Sequence, residues 1–383
     1  MFKFDFSGDD IDEEVEGKQE QKRDEPKAED QSAGAKASFA LTPAIYDISD
    51  LLQDLPSRLC YTLVPVKSEL PIPRREVFDI KVQIMADEDI LLPALDTDSS
   101  ETVTATSEGF IKKELQILLS NTEDLRTDLY EGGLKSWEGA GDLVEYLAEE
   151  RVEIGNGVLE LGCGSALPSI YLFQKHLQSI QKSDESGAPI QTTSFILSDY
   201  NYSVLRLMTA PNFLLAYYRA CVVSDTEPVA SQQQQQELDL EITPELISQF
   251  IEFLKVNNIA VKFISGSWDS VGFSQLLGYS YPMTDDEQIK YSLVLASETI
   301  YSLSTISSFT SLFLDCITYW GTSSARAGAL VAAKEIYFGV GGTVRQFIEL
   351  VRKLGGKIAT VRRIAGRSSG IARVVLQATK PGA

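Results

Sequence analysis

Apolar and polar positions divide this chain into three stretches of different character. Residues 8 to about 38 are rich in Asp, Glu, Lys, Gln and Ala and nearly empty of apolar side chains. Such a segment buries too little surface to offset its ordering entropy, so a disordered tail is expected. Ahead of it, Phe2, Phe4 and Phe6 recur at period two, which suits a short edge strand or docking motif as well as a loose end. From 40 to 95, apolar stretches are broken by Pro56, Pro65, Pro71, Pro73 and Pro93. That pattern predicts short helices and extended pieces packed on a main domain, with a loop over 96–108.

From about residue 110, strand and helix signals alternate. Val158–Leu161 and Ser194–Ser198 read as strands, each followed by a helical period, over 167–178 and 201–222. A helix at 243–257 leads to the strand Ala260–Ile264. Tyr291–Ala296 and Ala329–Ala333 are further strands, followed by helices over 302–320 and 342–354. Lys357–Val361 and Ile371–Gln377 close the chain as a hairpin. The alternation predicts an α/β fold, a mostly parallel sheet with helices on both faces and one antiparallel strand from the hairpin. Residues 224–240, with Gln232 to Gln236, read as a low-complexity, mobile insertion. The expected organisation is a tail over 1–39, an ancillary region over 40–120 and one catalytic domain over 121–383.

Composition then removes function classes. A net charge of −21 opposes binding to a phosphate backbone, so no direct sequence-specific nucleic-acid contact is expected. Cys60, Cys163, Cys221 and Cys316 are scattered without a CxxC pair, which argues for reduced thiols and against a disulfide framework or zinc site. The lone histidine, His176, reads as a solvated helix position, and one histidine leaves no multi-histidine metal site. No secretory signal and no membrane-spanning run are visible, so neither metal nor membrane enters the expectation.

The candidate chemistry lies at successive strand ends, where ligands bind in open α/β sheets. Val158–Leu161 runs into Gly162-Cys-Gly164, whose missing side chains let a ligand approach the backbone. A dinucleotide fingerprint would need glycine at 167, which is Leu167. Glu160 would also crowd a pyrophosphate, so a cationic sulfonium carrying an amino-acid moiety fits better. Asp199, with Tyr200 and Asn201, can accept both hydroxyls of a ribose, although Asp199 or Asn201 serves equally as a helix cap. Gly266-Ser267-Trp268 offers a flat ring to flank an adenine, and Ser297-Glu298-Thr-Ile-Tyr301 ends the fourth strand.

With these blocks in order, the chain resembles the seven-strand, Rossmann-like methyltransferases dependent on S-adenosylmethionine. More narrowly it resembles the fungal-type histidine protein methyltransferases. The likeness rests on Tyr130–Glu138, Leu161–Pro168, Asp199–Asn201, Gly266–Trp268, Ser297–Tyr301 and Ala333–Gly342, and covers roughly 120 to 379. It implies S-adenosyl-L-methionine as cofactor, contacted by Ser136, Trp137, Glu138, Gly139, Ala140, Gly162, Gly164, Asp199, Tyr200, Asn201, Gly266, Ser267, Trp268 and Ser297. It also implies transfer to the distal (tele) nitrogen of a histidine in large-subunit ribosomal protein three, by a monomer found in cytoplasm and nucleus. Gly139-Ala140 departs from the Cys-Thr of many relatives, and Ala166 from a common third glycine. Glu298 and Tyr301 are the candidate catalytic pair, either able to accept the proximal N–H of the acceptor imidazole. The rivals are a lysine-directed methyltransferase of the same fold and a non-catalytic ribosome-assembly scaffold.

Overall fold

The structure is a computed structural model that describes residues 42–67, 69–86, 132–152, 154–155, 157–183, 192–223, 237–270, 272–279, 293–320, 328–339, 341–366 and 370–379. The Phe2–Phe6 motif, the acidic stretch, the 96–108 loop, residues 224–236, and Tyr130 and Glu131 lie outside the described residues.

Eleven strands are described: β1 (Ala44–Asp47), β2 (Arg58–Val64), β3 (Ile72–Arg75), β4 (Gly157–Leu161), β5 (Thr193–Asp199), β6 (Leu238–Glu241), β7 (Ile259–Ser265), β8 (Leu293–Ser297), β9 (Ala329–Lys334), β10 (Lys357–Ile364) and β11 (Arg373–Thr379). Eight form one sheet in the order β1-β7-β5-β4-β8-β9-β11-β10. Strands β7, β5, β4, β8 and β9 run parallel, and β11 inserts antiparallel between β9 and β10. From β7 to β10 this is the seven-strand arrangement expected from the alternation, with the terminal hairpin supplying the one reversed strand. Strand order reverses at β4, which makes the gap beside its carboxyl end the switch point where a ligand binds.

The sheet is buried on both sides, which is why its inner strands read as continuous apolar runs. All five residues of β4 and all seven of β5 are buried. Val158, Phe195 and Leu197 face a core built with helices Glu138–Glu149, Leu167–Ser183, Ala210–Tyr217 and Pro244–Val256. Leu159, Leu161 and Ile196 face the opposite core, under helices Phe273–Tyr279, Ile306–Trp320 and Val344–Lys353. Thr243 and Thr343 start two of these helices by accepting the N–H of Leu246 and Gln346, both at 3.2 Å.

The sequence left several features unmarked. Strand β1 extends the main sheet, pairing antiparallel with β7, so Ala44–Asp47 belongs to the same sheet as the catalytic region. Strands β2 and β3 form a second, three-stranded sheet with β6. Residues 238–240 are therefore a paired strand and no part of a mobile insertion. The Leu-Asp-Leu-Glu alternation places Leu240 in the core, a four-residue signal masked by the glutamine run beside it. His176 is half-buried and packs 6.5 Å from the Phe195 ring, where the sequence suggested a solvated position. Burial lowers its pKa. Among the described residues, no helix is long and apolar enough to cross a membrane.

Candidate cofactor and methyl-transfer site

Four parallel strands end side by side and deliver the predicted residues to one place. After β4 the chain turns through Gly162 and Gly164, with φ of +64° and +51°, values that glycine takes up without strain. Ala166 holds φ +54°, so the position where relatives use a third glycine keeps the left-handed backbone and carries its cost of about 1 kcal/mol. Space at Gly162 is tight as well. A Cβ there would lie 2.6 Å from the Thr299 methyl and 3.5 Å from the Trp268 ring. The turn is thus a bare backbone floor walled by Trp268 and Thr299. Trp268 Nε1 and Thr299 Oγ1 are both buried without a hydrogen-bond partner. Buried donors left open beside such a floor mark a place shaped for a polar ligand.

Asp199, at the end of β5, is buried. Its Oδ2 accepts the Gly164 N–H at 2.9 Å and its Oδ1 accepts the Asn201 N–H at 3.1 Å. The carboxylate therefore ties β5 to the glycine turn, a role the sequence did not reveal. The backbone at Gly133 crosses in front of it: a Cβ on Gly164 would meet the Gly133 carbonyl at 2.9 Å, and one on Gly133 would lie 3.2 Å from Asp199 Oδ2. Ser136 then reaches the turn through Ser165, hydroxyl to hydroxyl at 3.0 Å. The Gly266 N–H donates to the carbonyls of Asp199 and Tyr200, both at 3.2 Å, which docks the β7 end against the β5 end.

Glu160 precedes the turn and is fully buried, but it points at the helix beneath. It accepts the Ser169 N–H at 3.1 Å and the Ser169 hydroxyl, and so caps the helix that starts at Leu167. Burial, with Asp199 nearby, pushes its pKa up to about 7.

Glu298 follows β8 with φ +55°, a strained value for a non-glycine residue. Its Oε1 accepts the Gly139 N–H at 3.0 Å and its Oε2 accepts the Tyr337 hydroxyl proton. Tyr337 Oη in turn accepts the Lys334 N–H at 3.2 Å. Burial raises the pKa of Glu298, and burial together with Glu298 raises that of Tyr337 well above its usual value. One carboxylate thus clamps the start of helix Glu138–Glu149 to the loop after β9. Glycine at 139 allows this closeness without a shift, since a Cβ there would lie 2.7 Å from Glu298 Oε1. The Tyr301 ring stands edge-on to Tyr337, centroids 6.3 Å apart.

Two predicted residues turn elsewhere. Glu138 pairs with Lys334 Nζ at 3.0 Å, and that ammonium also lies 5.3 Å over the Trp137 ring. Burial works to raise the Glu138 pKa, but its own backbone hydrogen bond and Lys334 outweigh that and lower it. The Ser267 hydroxyl donates to Asp269. Conversely, Thr299, Tyr337, Gly133, Thr209 and Asn212 belong to the site or its frame and were not singled out. Thr299, Tyr337 and Gly133 lie inside blocks already recognised as similar, whereas Thr209 and Asn212 sit mid-helix with no local signal.

No family model matches the chain. It is 34% identical over 317 residues to Histidine protein methyltransferase 1 of Saccharomyces cerevisiae, covering 80% of this chain and 75% of that one. It is 29% identical over 348 residues to the protein of the same name from Schizosaccharomyces pombe, covering 90% and 88%. The mouse homolog is 28% identical over 265 residues, covering 68% of this chain and 60% of its own length. Among solved structures, magnesium protoporphyrin IX methyltransferase from Synechocystis with bound SAH reaches a TM-score of 0.32 at 10% identity, over 80% of this chain and 100% of that one. That likeness is too slight to bear on function.

Proposed function

The chain belongs to the histidine protein methyltransferase family, and from that premise we propose that it methylates the tele nitrogen of a histidine in a large-subunit ribosomal protein, protein three, using S-adenosylmethionine. The observation that carries the reading is the convergence of Gly162, Asp199, Gly266 and Glu298 at the carboxyl ends of four adjacent parallel strands. We take 121–383 as the catalytic domain and 40–120 as an ancillary region, in a monomer acting in cytoplasm and nucleus.

The residues fit the cofactor. Gly162 and Gly164 offer bare backbone, Asp199 a carboxylate for ribose hydroxyls, Trp268 a flat wall, and Trp268 Nε1 and Thr299 Oγ1 two unsatisfied polar atoms. The sulfonium supplies an electrophilic methyl group, so the protein's work is alignment and exclusion of water. A histidine acceptor suits a site with little base chemistry, because an imidazole is largely neutral and nucleophilic at pH 7. A lysine must first lose a proton from a pKa near 10.4.

For the tele nitrogen to face the methyl, the proton must sit on the other ring nitrogen, held by an acceptor. Glu298 already takes a donor on each oxygen. Because that carboxylate is committed to holding Gly139 and Tyr337 together, we assign it as a positioning residue and Tyr301 as the acceptor of that N–H. Tyr301→Phe should lower kcat about 10-fold or more, the scale of one positioned proton-holding group, with cofactor affinity unchanged. Full activity in Tyr301→Phe would overturn the assignment.

A further inference from the structure

Helix Ala210–Tyr217 and the turn before it carry a device that links the ancillary strand β3 to the glycine turn. The backbone widens to π-helical geometry over Leu205–Thr209 and then meets Pro211. An α-helix would satisfy the Leu207 carbonyl with the N–H of residue 211, and proline has none to give. Arg75 supplies a donor from outside the helix: its Nη1 reaches the Leu207 carbonyl at 2.8 Å.

Arg75 is wholly buried. Its Nε donates to Asp79 Oδ2 at 2.6 Å and its Nη2 to Gln83 Oε1 at 2.8 Å, one and two helical turns along Val77–Ala86. Its backbone N–H goes to Asn212 Oδ1 at 2.8 Å, and Asn212 Nδ2 continues to the Ser165 carbonyl at 2.9 Å. Thr209, one turn before, donates to the Gly164 carbonyl at 2.6 Å. The two carbonyls of the glycine turn that follow Cys163 are thereby fixed by Thr209 and Asn212. Both of those residues lie on the helical segment that Arg75 grips.

We propose that Arg75, Thr209 and Asn212 are positioning residues for the cofactor turn, so that the ancillary region around β3 tunes S-adenosylmethionine binding while making no contact with it. This rests on the methyltransferase reading above. Arg75, Leu207, Thr209, Asn212 and Ser165 are buried, with Asp79, Gln83 and Gly164 half-buried at the ends of the network, so water replaces a missing central bond poorly, and the turn would settle differently if one were removed. Lysine cannot replace Arg75, because a single ammonium cannot span Leu207, Asp79 and Gln83 in the fixed fork of a guanidinium.

The test uses the full chain, with cofactor affinity by calorimetry, KM and kcat for the cofactor, and melting temperature for each variant. Thr209→Val should raise Kd and KM about five- to tenfold, as expected for one buried hydrogen bond, with kcat at saturation within about twofold. Thr209→Ser, which keeps the hydroxyl, should restore wild-type values. Arg75→Lys should show the same split between KM and kcat. If it does not fold, the Thr209 pair decides the matter. Melting temperatures that fall while cofactor affinity stays within twofold would overturn the inference, leaving a merely structural network. A wild-type protein that fails to bind S-adenosylmethionine would instead overturn the functional reading, and this inference with it.

Discussion

Replacing Asp199 separates what holds the glycine turn from what holds the cofactor. In the wild type its carboxylate accepts two backbone N–H groups, from Gly164 and Asn201. A hydrogen bond to a charged group contributes roughly 1.5–3 kcal/mol. Asp199→Ala strands both donors in a buried place, so the folded state should lose about 3–6 kcal/mol, with the lower end favoured if the turn relaxes. The ribose hydroxyls lose their acceptor too, which should weaken cofactor binding by about 1–3 kcal/mol, or roughly 5- to 150-fold in Kd. Asp199→Asn is the more telling variant. Its amide oxygen serves only one of the two N–H groups, and its NH2 faces the other, donor against donor. It should melt below wild type yet above the alanine variant. Its cofactor affinity should still fall, because the charged acceptor is gone. Calorimetry with S-adenosylmethionine on protein shown to be folded by circular dichroism reads both effects. Unchanged affinity in either folded variant would refute the assignment of Asp199 to the cofactor and leave it a purely structural tie.

Other expectations follow from neighbouring residues. Gly162→Ala must hold φ +64° and fit a methyl 2.6 Å from the Thr299 side chain; it should lose cofactor binding and about 2–4 kcal/mol of stability by chemical denaturation. Glu298→Gln retains an acceptor for Gly139 but removes the charge that the Tyr337 hydroxyl meets. A loss of about 1.5–3 kcal/mol in kcat/KM is expected, and unchanged kinetics would count against the clamp. Glu160 has a folded pKa raised from 4.5 to about 7. Its contribution is therefore full below pH 4.5 and fades as pH rises toward 7, by on the order of 3 kcal/mol. Glu160→Gln should flatten that part of the stability-versus-pH curve, and parallel curves for wild type and variant would contradict the buried acid. With a net charge of −21, the enzyme should methylate a free basic ribosomal protein faster than mature large subunits, and more slowly as salt rises. Equal initial rates on both substrates at two ionic strengths would remove that timing.

Local signals carried the sheet because its strands are buried on both faces and read as apolar runs between helical periods. Val158–Leu161, Ala329–Ala333 and the closing hairpin lie within a residue or a few of β4, β9, β10 and β11. The glycine turn and Asp199 were legible for the same reason: positive φ and a strand-end acid leave marks in sequence. The pairings were not legible. Nothing in Ala44–Asp47 announces that it will edge β7, and Leu238–Glu241 was hidden beside the glutamine run. Glu298 was noticed as an acid near the reaction, yet its partners Gly139 and Tyr337 are 159 and 39 residues away. Arg75 gave no hint at all. Its partners Leu207 and Asn212 stand 132 and 137 positions along the chain, and only the fold brings them to it.

The central claim is the identity of the methylated atom. Incubating the purified chain with radiolabelled S-adenosylmethionine and ribosomal proteins, followed by acid hydrolysis, reads it directly. The account predicts label in tele-methylhistidine, confined to one large-subunit protein and incorporated about 10-fold or more slowly by Tyr301→Phe. Label in methyl-lysine, or in the pros isomer of methylhistidine, would contradict it.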